Sequence, residues 1–269
     1  MTTDHAEPAT PPASSAGSRV DAGPDTESGP LGRVDPKQPK SSTQPTPRPP
    51  LGLATGVLVV AAAGLIASLV VLGFIAEGVR DQEVFALDAW ATPFLHSIQS
   101  PNFNALMNGL TTMGTTLIVL PVLLVVGGGL LVVRRYGAFT FLLVSLGGSM
   151  AIDAIMKLIF QRPRPKLDYA AVLPDYSFPS GHAMNGVAFY VAIALILWSV
   201  FGRKVGVISL ITASVLTFGI GVSRIYLGYH FLTDVVGGWL AGITWLMIVG
   251  AVFRLRPSVW TWGRRGRPP

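Results

Sequence analysis

Long hydrophobic stretches without charge alternate with short polar segments over most of the chain. A helix needs about 20 predominantly apolar residues to cross a bilayer. The residues from Ala89 to Gly109 also lack charge, but they contain Asn, Gln, Ser and Pro, which indicates an interfacial or re-entrant segment. The pattern therefore predicts an all-α, polytopic membrane protein with six transmembrane helices. The predicted spans are Leu51–Ala76, Leu110–Val133, Tyr136–Phe160, Met184–Gly202, Val205–Val222 and Val235–Phe253.

The first 50 residues have a different composition from the rest of the chain. They hold 11 of the 21 prolines and almost no apolar run. Such a segment cannot bury enough apolar surface to offset chain entropy, and it lacks the apolar core of a cleavable signal peptide. The predicted organisation is a disordered Pro/Ser-rich tail over 1–50, a six-helix membrane domain over 51–256 and a basic tail over 257–269.

Composition excludes several classes of protein. Charged residues make up 13% of the 269-residue chain, against about 25% in soluble domains, so a soluble globule is excluded. The chain has no cysteine, which excludes a disulfide framework, a thiolate metal site and a cysteine nucleophile. The net charge of +6 is interpreted as the placement of basic loops rather than as nucleic-acid binding, so no nucleic-acid partner is expected.

Basic residues cluster in alternate loops, and such clusters mark the cytoplasmic side of a membrane protein. This predicts that both termini are cytoplasmic. The two later loops on the other side, about 161–183 and 223–234, also contain basic residues and so break the rule, which calls for a functional reason. The cytoplasmic clusters are Lys37, Lys40 and Arg48; Arg134 and Arg135; Arg203 and Lys204; and Arg254, Arg256, Arg264, Arg265 and Arg267.

These two loops carry three motifs. Three cations beside a Ser-Gly turn suit a tetrahedral oxyanion, because arginine offers paired donors and lysine a point charge. Backbone N–H groups at the start of the fourth span would add to the attraction for an anion. The predicted ligand is therefore phosphate. The motifs are Lys157, six residues, then Arg164-Pro165; Pro179-Ser180-Gly181-His182; and Ser223-Arg224, five residues, His230, three residues, Asp234.

The second histidine has the setting of a nucleophile. His230 and Asp234 are four residues apart and share one helix face if the sixth span begins here. Asp234 could then hold the proton of one ring nitrogen and leave the other free to attack phosphorus. His182, from another helix, could protonate the leaving oxygen. Because no metal-spaced acidic cluster accompanies these residues, the sequence predicts metal-independent chemistry without a cofactor.

Taken together, the three motifs resemble the signature of the type 2 phosphatidic acid phosphatase (PAP2) family, in the acid phosphatase and vanadium haloperoxidase superfamily. All three match in order within residues 157–234. The resemblance implies a helical bundle core and a phosphohistidine intermediate. It implies that His230 is the nucleophile, His182 the general acid and Asp234 the residue that orients His230. The phosphate-binding residues that it implies are Lys157, Arg164, Ser180, Gly181 and Arg224.

Other polar positions receive structural interpretations. Arg162 and Lys166 are interpreted as lipid-headgroup anchors, because the motif spacing selects Arg164 instead. Asp153, one turn before Lys157, is interpreted as the ion-pair partner that positions this lysine.

Three residues of the loop before the second motif, Asp168, Asp175 and Tyr176, contact a headgroup or are merely solvated, and both interpretations stay open. His96 is assigned no role. Gly238 and Gly242 fit a small-xxx-small helix contact.

The leading hypothesis is an integral-membrane lipid phosphatase of a bacterial cell membrane, with its active site on the extracytoplasmic side. Its expected partners are membrane lipids and a lipid phosphate: an isoprenyl diphosphate such as undecaprenyl diphosphate, phosphatidic acid or phosphatidylglycerol phosphate. The alternative is a phosphotransferase that passes the phosphoryl group to a lipid or sugar acceptor, which the motifs do not separate from hydrolysis. Six spans disfavour a vanadate haloperoxidase, and the complete motif set disfavours a transporter or scaffold. The oligomeric state stays open.

Overall fold

The computed structural model describes residues 51–83, 85–168 and 173–255, and within these ranges the chain forms helices and no strand. The tails predicted over 1–50 and 257–269 lie outside the described residues. The helices are α1 (Leu51–Arg80), α2 (Ala86–Ser97), α3 (Pro101–Met113), α4 (Thr116–Val132), α5 (Tyr136–Phe160), α6 (Gly181–Gly186), a π-helical turn (Val187–Val191), α7 (Ala192–Phe201), α8 (Arg203–Tyr226) and α9 (Leu232–Leu255).

Local sequence explains where the helices near the motifs begin and end. The Ser100 side chain accepts a hydrogen bond from the Phe103 N–H group, and Pro101 occupies the first turn of α3, where its missing N–H group is not needed. Helix α5 ends at Phe160, where Gln161 adopts a left-handed conformation with φ of 45°. Two prolines follow, and the residue before a proline disfavours helical geometry. The α5 helix therefore stops just after Lys157.

Within the described residues, five helices are long and apolar enough to cross a membrane. The pair α3 and α4 passes the same test together but is bent by 48°, so the described part of the chain has six spans if this pair counts as one. The prediction of one continuous span over Leu110–Val133 is therefore wrong, because this segment contains the end of α3 and all of α4. The break falls at Gly114, which lies against the His182 ring so closely that a Cβ atom would be 2.8 Å from its Cδ2. The five spans are Ala62–Arg80, Tyr136–Phe160, Gly181–Phe201, Arg203–Tyr226 and Leu232–Arg254.

The outer faces of these helices are apolar. Val125 is 75% exposed, Phe74 69% and Ile208 65%. Aliphatic and aromatic side chains exposed over so wide a surface would be unfavourable in water and are typical of helices that face lipid. The core lies on the other side, where α5, the π-helical turn, α7 and α9 bury Phe141, Phe189 and their apolar neighbours.

Helix α9 packs unusually close to the N-terminus of α6. A Cβ atom at Gly238 would lie 2.6 Å from the Ser180 carbonyl oxygen, and one at Gly242 would lie 2.7 Å from the Met184 carbonyl oxygen. The small-xxx-small contact predicted from the sequence is thus present. It brings the second and third motifs into backbone contact.

We expect Gly238→Ala to lower both thermal stability and phosphatase activity, because the added methyl group pushes the Ser180 segment away from α9. Overpacking of this kind costs about 1–3 kcal/mol. Gly250→Ala is the matched control on the same helix, since its Cβ atom would meet nothing within 4 Å. Thermal unfolding in detergent measures both variants. Equal melting temperatures would contradict the close packing.

Candidate active site

The residues singled out by the three motifs come together at one end of the bundle. Lys157 lies in the last turn of α5, Arg224 in the last turn of α8 and Asp234 in the first turn of α9. The Ser180 N–H group donates to the Asp234 carbonyl oxygen at 3.0 Å, which joins the second motif to the third. Arg164 Nη1 lies 3.1 Å from His230 Nε2, which joins the first motif to the third.

Two helix boundaries differ from the sequence prediction and matter to the site. Helix α6 begins at Gly181 rather than Met184, so Ser180 is its N-terminal cap residue and His182 lies in its first turn. Helix α9 begins at Leu232. His230 therefore precedes the helix that carries Asp234 instead of sharing a face with it.

The His230 ring is 1% exposed and is held by two acceptors. Its Nδ1 lies 2.8 Å from the Ser177 carbonyl oxygen and 3.5 Å from Asp234 Oδ2. A carbonyl oxygen can only accept, so Nδ1 carries the proton and the Nε2 lone pair is free to accept from Arg164. The sequence did not predict Ser177, whose backbone is the nearer partner of the ring. Asp234 is the more distant partner.

Burial lowers the pKa of His230 to about 4. The hydrogen bond and the charge of Asp234 oppose this effect, whereas the positive charges of Arg224 and Arg164 reinforce it. The ring is therefore neutral at neutral pH. A neutral imidazole with a free Nε2 lone pair is the form that can act as a nucleophile.

Arg162 is not a headgroup anchor, and that prediction is wrong. Its side chain is 11% exposed and donates from Nη1 to Asp234 Oδ1 at 2.5 Å. From Nη2 it donates to Asp88 Oδ2 at 2.8 Å, and its guanidinium stacks 4.4 Å from the Phe231 ring centroid. Neither Asp88 nor this use of Arg162 was predicted. The sequence signal for Arg162 was its place as the first arginine of the Arg-Pro-Arg-Pro run, two residues before the motif arginine.

The Asp175 carboxylate forms ion pairs with two of the residues that are predicted to bind phosphate. Its Oδ2 lies 2.8 Å from Lys157 Nζ, and its Oδ1 lies 2.6 Å from Arg164 Nη2. Partial burial raises the pKa of Asp175, but the hydrogen bonds from Lys157 and Arg164 outweigh it and lower the pKa to about 2. The carboxylate is thus charged at all ordinary pH values. The ion pair expected between Lys157 and Asp153 is also present, at 3.5 Å.

Several buried polar atoms of the site have no hydrogen-bond partner among the described residues. They are Ser180 Oγ, His182 Nε2 and Arg224 Nε. The guanidinium of Arg224 is otherwise fixed, because Nη1 donates to Thr111 Oγ1 at 2.9 Å and the group stacks 4.2 Å from the Tyr229 ring centroid. Buried polar groups are nearly always paired in folded proteins. Three such atoms on motif residues are therefore available to a ligand.

A cavity of about 560 Å³ adjoins the site between the end of α1, the start of α2 and the 161–167 loop. Arg164 lines the cavity and also contacts His230. Apolar side chains form much of the wall, including Val79, Phe85 and Phe160. Within the described ranges no group of three or more His, Asp or Glu side chains could hold a metal ion; metal independence stays a prediction.

Comparison with known proteins finds related phosphatases. Residues 138–258 match the PAP2 superfamily. Phosphatidylglycerophosphatase B of Bacillus subtilis is 33% identical over 156 residues, which cover 56% of this chain and 76% of that protein. Undecaprenyl-diphosphatase of Sulfolobus acidocaldarius is 36% identical over 72 residues, which cover 27% of this chain and 31% of that protein.

A solved structure shows the same architecture. The transmembrane PAP2 type phosphatidylglycerolphosphate phosphatase from Bacillus subtilis has a TM-score of 0.65 and 28% sequence identity to this chain, over 71% of this chain and 96% of that one. The fold and the site define a multi-pass membrane phosphatase built from helices. The chain belongs to the PAP2 superfamily. The predicted family, the all-α membrane fold and the assignment as a phosphatase are thereby confirmed.

Proposed function

We propose that this phosphatase removes phosphate from a lipid phosphomonoester or diphosphate through a phosphohistidine on His230. The arrangement around Nε2 supports the proposal. The His230 ring is buried and neutral, and Arg164 Nη1 lies 3.1 Å from Nε2, which carries the lone pair. Ser180, His182 and Arg224 add unpartnered polar atoms on the helices packed against the start of α9.

In the first step, a bond forms between Nε2 and phosphorus while the bond from phosphorus to the lipid oxygen breaks. His182 gives its proton to that oxygen. In the second step, a water oxygen bonds to phosphorus, the nitrogen–phosphorus bond breaks, and the water proton returns to His182. The products are the lipid alcohol, or the lipid monophosphate if the substrate is a diphosphate, and inorganic phosphate. Lys157, Arg164 and Arg224 would stabilise charge on the remaining phosphoryl oxygens.

The two cations held by Asp175 become available to phosphate only when this carboxylate is displaced. Phosphate carries more negative charge and more acceptor oxygens than a carboxylate, so it can replace Asp175 on Lys157 and Arg164. Arg164 would then move its donor from His230 Nε2 to the substrate. Because the pKa of Asp175 is about 2, a change of pH above about 4 does not free these cations.

The cavity favours a lipid with a second anionic group. Its wall combines apolar side chains with four cations and two carboxylates, which are Arg80, Arg162, Arg164, Lys166, Glu83 and Asp88. The cations outnumber the carboxylates. Phosphatidylglycerol phosphate and undecaprenyl diphosphate each carry a second negative phosphate, whereas phosphatidic acid has one. We therefore rank the first two above phosphatidic acid. The basic clusters in alternate loops support an extracytoplasmic site and cytoplasmic termini.

Phosphate release by the purified protein in detergent, with EDTA present, tests the proposal. We expect release from phosphatidylglycerol phosphate or undecaprenyl diphosphate, faster than from phosphatidic acid. Mass spectrometry of the lipids separates hydrolysis from the alternative, because a phosphotransferase would phosphorylate an added lipid or sugar acceptor without releasing phosphate. No reaction with any lipid or acceptor would contradict the proposed function. Activity that EDTA abolishes and Mg²⁺ restores would contradict metal independence.

A further inference from the structure

A buried cluster links the motif residue Asp234 to two residues outside the motifs, and it joins three parts of the chain behind the catalytic histidine. Arg162, in the loop after α5, donates to Asp234 Oδ1 and to Thr233 Oγ1, both in the first turn of α9. Its other terminal nitrogen donates to Asp88 on α2 at 2.8 Å. Asp234 and Asp88 are 0% and 5% exposed. Ion pairs so deeply buried hold a fixed geometry, because breaking one leaves an uncompensated charge.

Asp88 fixes the start of the helix that carries Asp234. Its Oδ1 accepts from the Thr233 N–H group at 2.8 Å, and its Oδ2 accepts from the Thr233 hydroxyl at 2.6 Å. The first N–H groups of a helix have no partner within the helix, and a carboxylate there also interacts well with the helix dipole. Asp88 thus caps α9 from a helix 145 residues earlier in the chain.

The second carboxylate oxygen of Asp234 faces the histidine. Asp234 Oδ2 accepts from the Phe231 N–H group at 2.9 Å and lies 3.5 Å from His230 Nδ1. Arg162 on one oxygen and Phe231 on the other leave the carboxylate one orientation. The position of the Asp234 carboxylate relative to the His230 ring is therefore set by donors on Arg162 and Phe231.

The cluster has a charge that suits phosphoryl transfer. Two carboxylates and one guanidinium leave one net negative charge next to His230. The ring gains positive character when Nε2 bonds to phosphorus, because Nδ1 keeps its proton. A fixed negative charge where positive charge develops lowers the barrier without reorganisation.

We propose that Arg162 and Asp88 are positioning residues for the phosphatase reaction, holding Asp234 against His230 and keeping one net negative charge behind the ring. The proposal rests on the proposed function of His230 as nucleophile. It assigns a catalytic contribution to two residues that the three motifs leave out.

Removing either partner changes this charge in opposite directions. Arg162→Met leaves two carboxylates without their cationic partner, so a second proton on the His230 ring, at Nε2, becomes more favourable. Asp88→Asn removes a negative charge, so the ring proton becomes less favourable. The other charged or titratable groups facing His230 are Arg164 of the loop, Arg224 of α8 and His182 of α6, and both variants leave them in place.

The protonation of His230 can be measured without a substrate. Imidazole ¹⁵N NMR of the full chain in micelles observes all four histidines, and His230→Gln identifies the His230 signal. For Arg162→Met we expect the pKa of His230 to rise from about 4 towards its ordinary 6.5; for Asp88→Asn we expect it to stay or fall. Arg203→Met and Glu77→Gln make the same charge changes at exposed positions and should leave it unchanged.

Kinetics supply the second readout. A misplacement of about 1 Å can cost on the order of 100-fold in rate, so we expect Arg162→Met and Asp88→Asn to lower kcat by about 10- to 100-fold and to change KM much less. Arg162→Lys keeps the charge but cannot bridge both carboxylates, so it should restore the pKa of His230 and only part of kcat.

The two readouts separate the possible failures. Unchanged pKa values of His230 in both variants, or shifts in the same direction, would overturn the positioning role, as would wild-type kcat in a variant that has merely lost thermal stability. The pKa of His230 could shift in opposite directions in the two variants while the wild-type protein cleaves none of the lipid phosphates. That result would support the positioning role of Arg162 and Asp88 and contradict the proposed function.

Discussion

Replacing His230 with alanine abolishes phosphate release, with an expected loss of at least about 10⁴-fold in kcat. The neutral His230 ring presents its Nε2 atom 3.1 Å from Nη1 of Arg164, which we propose binds phosphate. A buried alanine cannot form the covalent intermediate, and water alone would have to attack the phosphorus. The folded protein should still bind inorganic phosphate through its cations, so KM or inhibition constants change far less than kcat.

The measurement combines steady-state phosphate release with acid-quenched trapping of ³²P on the protein. Wild-type protein should trap acid-labile label, and His230→Ala should trap none. His96→Ala is the control, because His96 is an exposed histidine on α2 and its loss should leave both readouts unchanged. Label retained in His230→Ala would assign the nucleophile to a different residue.

The pH dependence of the wild-type protein adds an independent check. Since burial lowers the pKa of His230 to about 4, the ring is neutral above that value and protonated below it. The rate should therefore fall only as the pH drops through about 4, rather than through the ordinary 6.5 of histidine.

The sequence predicted the motif residues because the chemistry of a phosphate site requires particular residue types at fixed spacings. Lys157, Arg164, His182 and His230 were identified in this way, and the structure brings their motifs to one end of the bundle. The supporting contacts could not be predicted. Arg162 reaches Asp88 across 74 residues, and the Ser177 carbonyl oxygen reaches the histidine ring across 53. A backbone acceptor has no sequence signature.

Hydrophobicity located the membrane helices but misplaced the ends that matter for the site. Helix α8 continues to Tyr226, whereas the sequence pattern ends the span at Val222 before the charge of Arg224. Arg224 is 6% exposed and still lies within the helix. Its guanidinium group can be buried there because it donates a hydrogen bond to Thr111. The break between α3 and α4 was missed for a related reason. Hydropathy does not register a bend where Gly114 makes room for the His182 ring.

Arg164 and Asp175 should have opposite effects on the binding of phosphate. Arg164→Ala removes donors that face both His230, the proposed nucleophile, and Asp175. We expect kcat/KM to fall by about 10³-fold, the scale seen when a charged donor to a transition state is lost. Arg164→Lys should recover part of this loss, because lysine keeps the charge but not the paired donors. Arg203→Ala, which removes an exposed arginine at the start of α8, is the control.

Asp175→Asn removes the carboxylate that holds Lys157 and Arg164 in the substrate-free geometry. Phosphate then competes with a neutral amide rather than an anion, so inhibition by inorganic phosphate should tighten by about 10-fold. In Arg164→Ala the same inhibition should weaken. Because the pKa of Asp175 is about 2, the effect of Asp175→Asn should be constant from pH 5 to 8. Weaker inhibition in Asp175→Asn would instead mean that the carboxylate orders the cations for phosphate rather than occupying their site.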